Sequence, residues 1–310
     1  MGVSELFDLA GARILVTGVT GSVADPVART LALAGNEVFG AARFADAARR
    51  ADLEAAGVRT VRLDLSGPDL GEIPTDLDVV LHFALARTNK FDKDLRINAE
   101  GVAFLIEHVA GVRAFLHCSS TAVYEPAGHE ARSEDDPLGD SHRPFGFMPT
   151  YSITKIAAES SARYAGRRFG VPTVIARLGV PYGDTYGWML FHLAMMEAGR
   201  PVPVHSRAPT QFSPLHHDDI MASLPYLLGA ASTPATTLNW AGTEAVSIED
   251  WSTELGRLTG LTPDFAPTEA TLESIVADTS RLNALGFTPK VGWREGMRRL
   301  VETARPDLLS

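Results

Sequence analysis

The sequence predicts an α/β fold, a doubly wound parallel sheet followed by a smaller C-terminal domain, on three observations. Short apolar runs alternate with stretches whose apolar residues recur at helical spacing. A glycine-containing turn joins the first run to the first such stretch. Beyond residue 180 the alternation gives way to shorter, more proline-rich segments. Short runs of that kind, joined by helical crossovers, are parallel strands buried on both faces, and right-handed crossovers wind helices over each face in turn.

Taken in order, residues 13–17 (RILVT) form the first strand and 23–34 the first helix; 37–42 follow as a strand, 45–56 as a helix and 58–63 as the third strand. Residues 79–83 (VVLHF) are the fourth strand, 95–109 a helix and 114–118 the fifth strand, with Ser119 and Ser120 just past its end. The segment 125–150, rich in proline, glycine and charge, reads as one long surface loop, and loops of that length usually carry function. A helix over 151–169 and a strand over 172–177 restore the pattern, and a strand near 236–240 returns to the sheet. The expected division is 1–179 for the sheet domain and 180–310 for most of the second.

The 38 acidic and 28 basic residues give a net charge of -10, which argues against nucleic acid and anionic membranes as partners, since both recruit basic patches. The single cysteine, Cys118, leaves no internal disulfide and no Cys-based zinc site. The N-terminus lacks a basic segment followed by a long apolar one, and no apolar run approaches the ~20 residues of a membrane span. The expectation is a soluble cytoplasmic protein. His216, His217, Asp218 and Asp219 are consecutive and so point in different directions, so no metal site is expected; Asp218 or Asp219 should cap a helix starting near Ile220.

Gly18, Thr20, Gly21, Ser22, Val23 and Ala24 lie on the turn between the first strand and helix. Glycines there permit a close approach that a side chain would block, and the helix N-terminus offers N–H groups to a pyrophosphate. Dinucleotide sites selective for NAD place an acid at the end of the second strand, to hold the ribose hydroxyls. Here the strand ends Ala41-Ala42-Arg43, which puts a guanidinium where a 2′-phosphate would lie and favours NADP, with NAD possible. Asp64, ending the third strand, is either an acceptor for the adenine amine or a turn cap. His82 reads as a satisfied core histidine and Cys118 as inert packing, while Trp188, Met189, Phe191, Met195 and Met196 read as core or as pocket lining.

Tyr151 and Lys155 are four apart on one helix face, where an ammonium stabilises a phenolate. A serine hydroxyl at the carboxyl edge of such a sheet can hold a substrate oxygen while the tyrosine exchanges its proton.

With these pieces the chain resembles the extended short-chain dehydrogenase/reductase superfamily, the NAD-dependent epimerase/dehydratase family. The matching segments are TGVTGSVA (17–24), DL (64–65), HFALA (82–86), NAEGV (98–102), SSTAVYE (119–125), SEDDPL (133–138), YSITK (151–155), RLGVPYG (177–183), HHDDI (216–220) and DTSRLNALGFTPK (278–290). The resemblance implies a Rossmann dinucleotide-binding domain and a C-terminal substrate-binding domain, with Tyr151 as catalytic acid/base and Lys155 on the cofactor ribose. It implies Ser120 as the catalytic hydroxyl, with Thr121 the second choice. It also implies cofactor contacts from Thr20, Val23, Leu65, Ala84 and the backbone near Gly179, and a homodimer through helices 95–109 and 151–169. Asn98 matches a family asparagine that shapes the helix beside the active site.

The departures narrow the chemistry. Dehydratases of the family carry Asp-Glu after the catalytic threonine; here Thr121 and Ala122 follow Ser120. Sugar-nucleotide epimerases hold the diphosphate with an Asn and an Arg at positions occupied here by Val180 and Phe212, and the Gly of their VYG signature is Glu125. The expected function is reversible hydride transfer between NADP and a carbonyl or secondary alcohol on a small-molecule substrate. The alternatives are a nucleotide-sugar epimerase, with Arg207 or Arg281 replacing the diphosphate contacts, and a redox-inactive dinucleotide sensor.

Overall fold

The computed structural model describes residues 6–144 and 146–309. Strand β1 (Arg13–Thr17) leads through the glycine turn into α1 (Ala24–Leu33), then β2 (Glu37–Ala42), α2 (Ala47–Ala55), β3 (Arg59–Arg62) and β4 (Val79–His82). A short helix α3 (Phe91–Leu95) runs through a π-helical turn at Arg96–Glu100 into α4 (Gly101–His108), and β5 (Ala114–Ser120) follows. After β6 (Ala131–Arg132) come α5 (Tyr151–Phe169), β7 (Thr173–Leu178), β8 (Val180–Tyr182), α6 (Trp188–Glu197), β9 (Val202–His205), β10 (Gln211–Phe212) and β11 (Pro214–His216). The chain ends through α7 (His217–Gly229), β12 (Thr236–Trp240), β13 (Val246–Ser247), α8 (Ile248–Thr259), β14 (Phe265–Thr268), β15 (Val276–Ala277), α9 (Ser280–Ala284) and α10 (Trp293–Ala304).

Seven strands form one sheet in the order β12-β7-β5-β4-β1-β2-β3. Parallel ladders join β3 to β2, β2 to β1, β1 to β4 and β4 to β5. The order reverses between β1 and β4, so the chain leaves β1 and β4 in opposite directions and opens a crevice at their carboxyl ends, where ligands bind in such sheets. The chain divides into two compact units: residues 1–120, 150–177 and 223–238, and residues 121–149, 178–222 and 239–310. In the first, Leu15, Val80 and Phe115 of the sheet pack with Val102, Leu105 and Ile106 of α4 and Ala158, Ala162 and Ala165 of α5. In the second, Trp251 and Leu255 of α8 pack with Met297 and Leu300 of α10, Leu193 of α6 and Phe212.

The structure corrects several expectations. The fifth strand does not stop at Cys118: Ser119 and Ser120 are its last two residues, and the hydroxyl of Ser119 meets the buried Glu159, so a polar side chain is tolerated there. The helix expected over 95–109 starts earlier, at Phe91, and is interrupted by the π turn that carries Asn98. Gly101 restarts the α-helix where a Cβ would come within 2.7 Å of the Leu65 side chain. The segment 125–150 is not simply a surface loop. Its β6 pairs with β15, and it carries the buried residues Glu134 and His142; Phe145 lies outside the described residues, as do residues 1–5 of the N-terminal stretch. The helix expected near Ile220 begins at His217, and neither aspartate is its N-cap. Asp218 pairs with Arg299 at 2.8 Å, and Asp219 accepts the backbone N–H groups of Lys290 and Val291. Among the described residues no helix is long and apolar enough to cross a membrane.

Candidate active site

The site is built first from the turn after β1. The N–H of Gly18 donates to the Ala41 carbonyl on β2 at 2.8 Å, and that of Gly21 to the Gly18 carbonyl at 2.8 Å. Gly18 has φ +70, and a Cβ on it would lie 2.8 Å from the backbone of Ala84, so only glycine fits. No side chain caps the start of α1, and Ala24 packs at its base, 2% exposed. Such an uncapped helix start beside a glycine turn suits a phosphate anion.

Facing the turn is the segment after β4. Thr17 Oγ1 accepts the Ala84 N–H at 3.1 Å and meets His82 Nδ1 at 2.8 Å, which ties the end of β4 to β1. Burial, helped by the Lys155 charge, pushes the His82 imidazole down to about 3, so it stays neutral. His82 stacks on His117 of β5 at 5.5 Å, and neither ring nitrogen of His117 has a hydrogen-bond partner among the described residues.

A cleft of about 230 Å³ opens between these segments, lined by Gly18, Thr20, Ala42, Arg43, Asp64, Leu65, Ala84 and others. It brings together six of the residues expected to bind the cofactor. Gly21, Ser22 and Val23 continue the same turn toward α1, whereas Gly179 lies in the second unit, its N–H donating to the Trp240 carbonyl at 2.9 Å. Leu85, Ala86, Lys93 and Ile97 also line the cleft and were not singled out in sequence. Leu85 and Ala86 belong to the HFALA segment and Ile97 to the helix read over 95–109, whereas Lys93 lies ahead of that helix and carries no pattern in sequence.

Arg43 is exposed at this cleft and makes no ion pair among the described residues. Its neighbours on α2 are engaged. Arg49 pairs with Asp25 at 2.9 Å, while Arg50 bonds Glu54 and stacks over Phe44. Asp64 Oδ1 accepts the Ser66 N–H at 3.0 Å, so it caps its own turn. The Ser66 bonds hold its carboxyl below the usual range, with Arg43 adding to the effect.

Across the switch point from β2 and β3, Ser120 ends β5 and Tyr151 starts α5. Lys155, one turn on and 5% exposed, donates from Nζ to the Cys118 carbonyl at 2.5 Å. A further turn on, Glu159 is fully buried. It accepts two bonds at 2.9 Å from the buried Arg177 of β7 and one at 2.6 Å from Ser119 Oγ. Burial alone would push that carboxyl up, but the Arg177 and Ser119 bonds and the Arg163 charge outweigh it and hold it down. Residues 151, 155 and 159 therefore share one face of α5, and the last two fasten it to the sheet. Thr121, the second choice for the hydroxyl, is buried on the 3-10 turn after β5.

In the second unit, Val180 sits in β8 and Phe212 in β10, both buried in its apolar core. Phe212 meets the ring of Trp188 edge-on at 5.2 Å and lies 6.4 Å from Trp251. Trp188 and Phe191 keep exposed area, while Met189, Met195 and Met196 are core. Arg281 is held by Glu134 at 3.3 Å and by Asp135, and Arg207 by Glu273 at 3.2 Å. Among the described residues no cluster of His, Cys, Asp and Glu could hold a metal ion.

The model of the NAD dependent epimerase/dehydratase family matches residues 14–228. The chain is 26% identical over 269 residues to a trifunctional UDP-glucose 4,6-dehydratase/UDP-4-keto-6-deoxy-D-glucose 3,5-epimerase/UDP-4-keto-L-rhamnose-reductase of Arabidopsis thaliana, covering 78% of this chain and 39% of that protein. It thus spans about two fifths of the length of that relative. It is 27% identical over 261 residues to a dTDP-4-dehydro-6-deoxy-D-allose reductase of Streptomyces bikiniensis, covering 77% of this chain and 78% of the relative. Among solved structures, the UDP-glucuronic acid 4-epimerase of Bacillus cereus, in complex with UDP-glucuronic acid and NAD, aligns with a TM-score of 0.79 at 22% identity. That match covers 94% of this chain and 98% of the other, and it bears on the fold.

Proposed function

The chain belongs to the NAD-dependent epimerase/dehydratase family, and from that premise we propose that it is an NADP-dependent dehydrogenase or carbonyl reductase acting on a substrate without a nucleoside diphosphate. One observation carries the reading. Val180 and Phe212, which stand where the family's epimerases place polar diphosphate contacts, are buried in an apolar core, and Arg207 and Arg281 are already engaged by carboxylates. A diphosphate would have to give up its hydration without donors to replace it.

The residues divide the work as follows. Ser120 donates its hydroxyl hydrogen to the substrate oxygen and orients it. Tyr151 passes its phenolic proton to that oxygen in reduction and takes it back in oxidation. The Lys155 ammonium, held on β5 by the Cys118 carbonyl, stabilises the phenolate and donates to the cofactor ribose. Gly18, Thr20, Gly21, Ser22 and Val23 would hold the pyrophosphate, Leu65 and Ala84 would contact the cofactor, and Arg43 would take the 2′-phosphate. When bound, the nicotinamide supplies or accepts the hydride. Thr121 and Ala122 offer no carboxylate pair, so elimination of water from a sugar is not part of the reading. The allose reductase relative, matched over most of both chains, supports net reduction as the outcome; its own named substrate carries dTDP, and the absence of that group here rests on Val180 and Phe212.

A second reading, nucleotide-sugar epimerisation, is favoured by the family itself and by the Arabidopsis thaliana relative, whose name includes a UDP-sugar 3,5-epimerase. The two differ in cofactor balance. The purified protein is incubated with NADPH and a panel of aldehydes and ketones, and separately with UDP-glucose and UDP-glucuronic acid. The expected result is stoichiometric NADPH oxidation with at least one carbonyl compound. Interconversion of a UDP-sugar without net cofactor consumption would overturn it in favour of the second reading.

A further inference from the structure

Tyr151 is the first residue of α5, and the first turn of a helix frays unless its end is capped. The N-cap, Thr150, makes no side-chain bond to its own helix. Its hydroxyl donates instead to Asp94 Oδ2 at 2.8 Å. A residue type suited to capping has given up its local bond for a distant one.

Asp94 is fully buried on α3 and is saturated by further donors. It accepts the Thr88 N–H at 3.0 and 3.1 Å, the Thr88 hydroxyl at 2.6 Å and the Asn89 N–H at 3.0 Å. Asn89 is held at φ 60, uncommon for a non-glycine residue. Four residues on, Asn98 Oδ1 accepts the Ala86 N–H at 2.7 Å, and its Nδ2 donates to the Ala86 carbonyl at 2.9 Å and to Thr154 Oγ1 at 3.4 Å. Positions 94 and 98 are thus two rungs, one helical turn apart, that meet 150 and 154 on α5, and Tyr151 lies between those two. The same rungs grip Ala86 and Thr88–Asn89 at their other ends, and Ala84, Leu85 and Ala86 line the cofactor cleft. The carboxylate also faces the N-terminal end of α5, where a negative charge is favourable.

We propose that Asp94 is a positioning residue that anchors the start of α5 through the Thr150 hydroxyl and couples the cofactor-binding segment after β4 to the placement of Tyr151. This rests on the reading of Tyr151 as the proton donor. Two arms of substitution separate the halves of the coupling. Thr150→Val removes the rung to α5 and leaves the Thr88–Asn89 grip intact. Asp94→Asn weakens both, because the amide replaces one acceptor oxygen with a donor.

Thr150→Val is expected to lower kcat on a carbonyl substrate by roughly tenfold or more, with the Kd for NADPH changed by less than about twofold. Thr150→Ser, which keeps the hydroxyl, should restore kcat. Asp94→Asn should lower kcat and weaken NADPH binding together. Hydrogen exchange of the holo protein, which needs no substrate, should show faster exchange in the first turn of α5 for Thr150→Val and Asp94→Asn and the wild-type rate for Thr150→Ser. Unchanged first-turn exchange in Thr150→Val, or a Thr150→Ser variant as impaired as the valine, overturns the proposal. If the wild type turned over no carbonyl compound, the functional reading would fall while the exchange measurement would still decide whether Asp94 holds Tyr151 in place.

Discussion

The Nζ of Lys155 donates to the backbone carbonyl of Cys118 at 2.5 Å, which pins the ammonium against β5 immediately before Ser119 and Ser120. The bond spans 37 residues of sequence and fixes α5 over the strand that ends in the proposed catalytic hydroxyl. The buried Glu159–Arg177 pair, one turn further along, fixes it again. Tyr151→Phe keeps the ring and loses only the ionisable hydroxyl, so NADPH affinity should change little while turnover falls by at least about a hundredfold. Lys155→Met should impair both, since it removes the proposed ribose donor and the charge beside the phenol. Fluorescence titration of NADPH and steady-state rates on one carbonyl substrate separate the two effects. A Tyr151→Phe enzyme with most of its turnover would show that the proton travels by another route.

Arg43 sets the second expectation. Ala42 supplies no ribose-binding acid, and Arg43 is exposed at the cleft without an ion pair among the described residues. A bidentate guanidinium–phosphate contact is worth ~1.5–3 kcal/mol, so NADP(H) should bind roughly ten- to a hundredfold tighter than NAD(H). Arg43→Ala should erase most of that difference while leaving NAD(H) affinity near wild type. Equal wild-type affinities for the two cofactors, measured by calorimetry, would remove Arg43 from this role.

How much of this was legible in the sequence depended on whether the signal was local. The strands of the sheet, the glycine turn and the Tyr151–Lys155 spacing each lie within a few residues, where periodicity and backbone constraint read directly. The structure returned β1, β2 and α5 with the expected bounds. The rest is made by partners far apart in the chain. Asp94 gathers Thr88, Asn89 and Thr150, and β6 pairs with β15 some 145 residues later. Asp219 serves amides at 290 and 291 rather than its own helix. An aspartate looks the same in sequence whether it caps its own helix or a distant segment. The π turn at Arg96–Glu100 was invisible for a related reason, because Asn98, which it carries, is held to Ala86 outside the helix.

A pH dependence follows from His192. Its Nδ1 accepts the indole N–H of Trp251 at 2.9 Å, and burial pushes the imidazole down to about 4. In the unfolded chain it titrates near ~6.5, so between that value and about 4 the unfolded state binds a proton that the folded state refuses. Stability should therefore fall as pH drops through this window, with this residue contributing a slope of up to ~1.4 kcal/mol per pH unit. His192→Gln keeps an acceptor for Trp251 and cannot titrate. Its stability, measured by urea unfolding at pH 7 and pH 5, should decline less steeply than that of the wild type. Parallel declines would show that His192 does not report on this linkage.

Assembly gives a fourth expectation. The small residues Ala158 and Ala162 of α5 are buried in the core of the first unit and are not available to a second subunit. The face of α5 left outside carries Tyr164, 67% exposed, with Ile156 and Ala157 partly covered. We expect a homodimer formed through α4 and α5, with Tyr164→Glu shifting it toward monomer. Light scattering at micromolar concentration should give about twice the 33.2 kDa chain mass, and a wild-type protein at the chain mass would count against it.

The last prediction concerns what the protein rejects. A nucleoside diphosphate brings two negative charges that need donors once they leave water, and each unmet charge is costly. The Val180 side chain has no donor, Phe212 is held edge-on by Trp188, and Arg281 is engaged by the buried Glu134 and by Asp135. Freeing Arg281 for a phosphate would leave Glu134 buried and short of a partner. That carboxylate also accepts the Asn239 N–H at 2.7 Å, so the rearrangement would disturb β12 as well. Arg207 is more exposed and cheaper to release from Glu273, which makes it the better placed of the two to rescue the contact. UDP-, dTDP- and GDP-sugars should therefore bind the NADP-loaded protein with Kd values in the millimolar range, several kcal/mol short of what two charge-assisted contacts would supply. Arg207→Ala should leave those values unchanged. Calorimetry decides it: a micromolar Kd for any sugar nucleotide would restore epimerisation as the leading function, and a loss of that affinity in Arg207→Ala would identify the residue that supplied it.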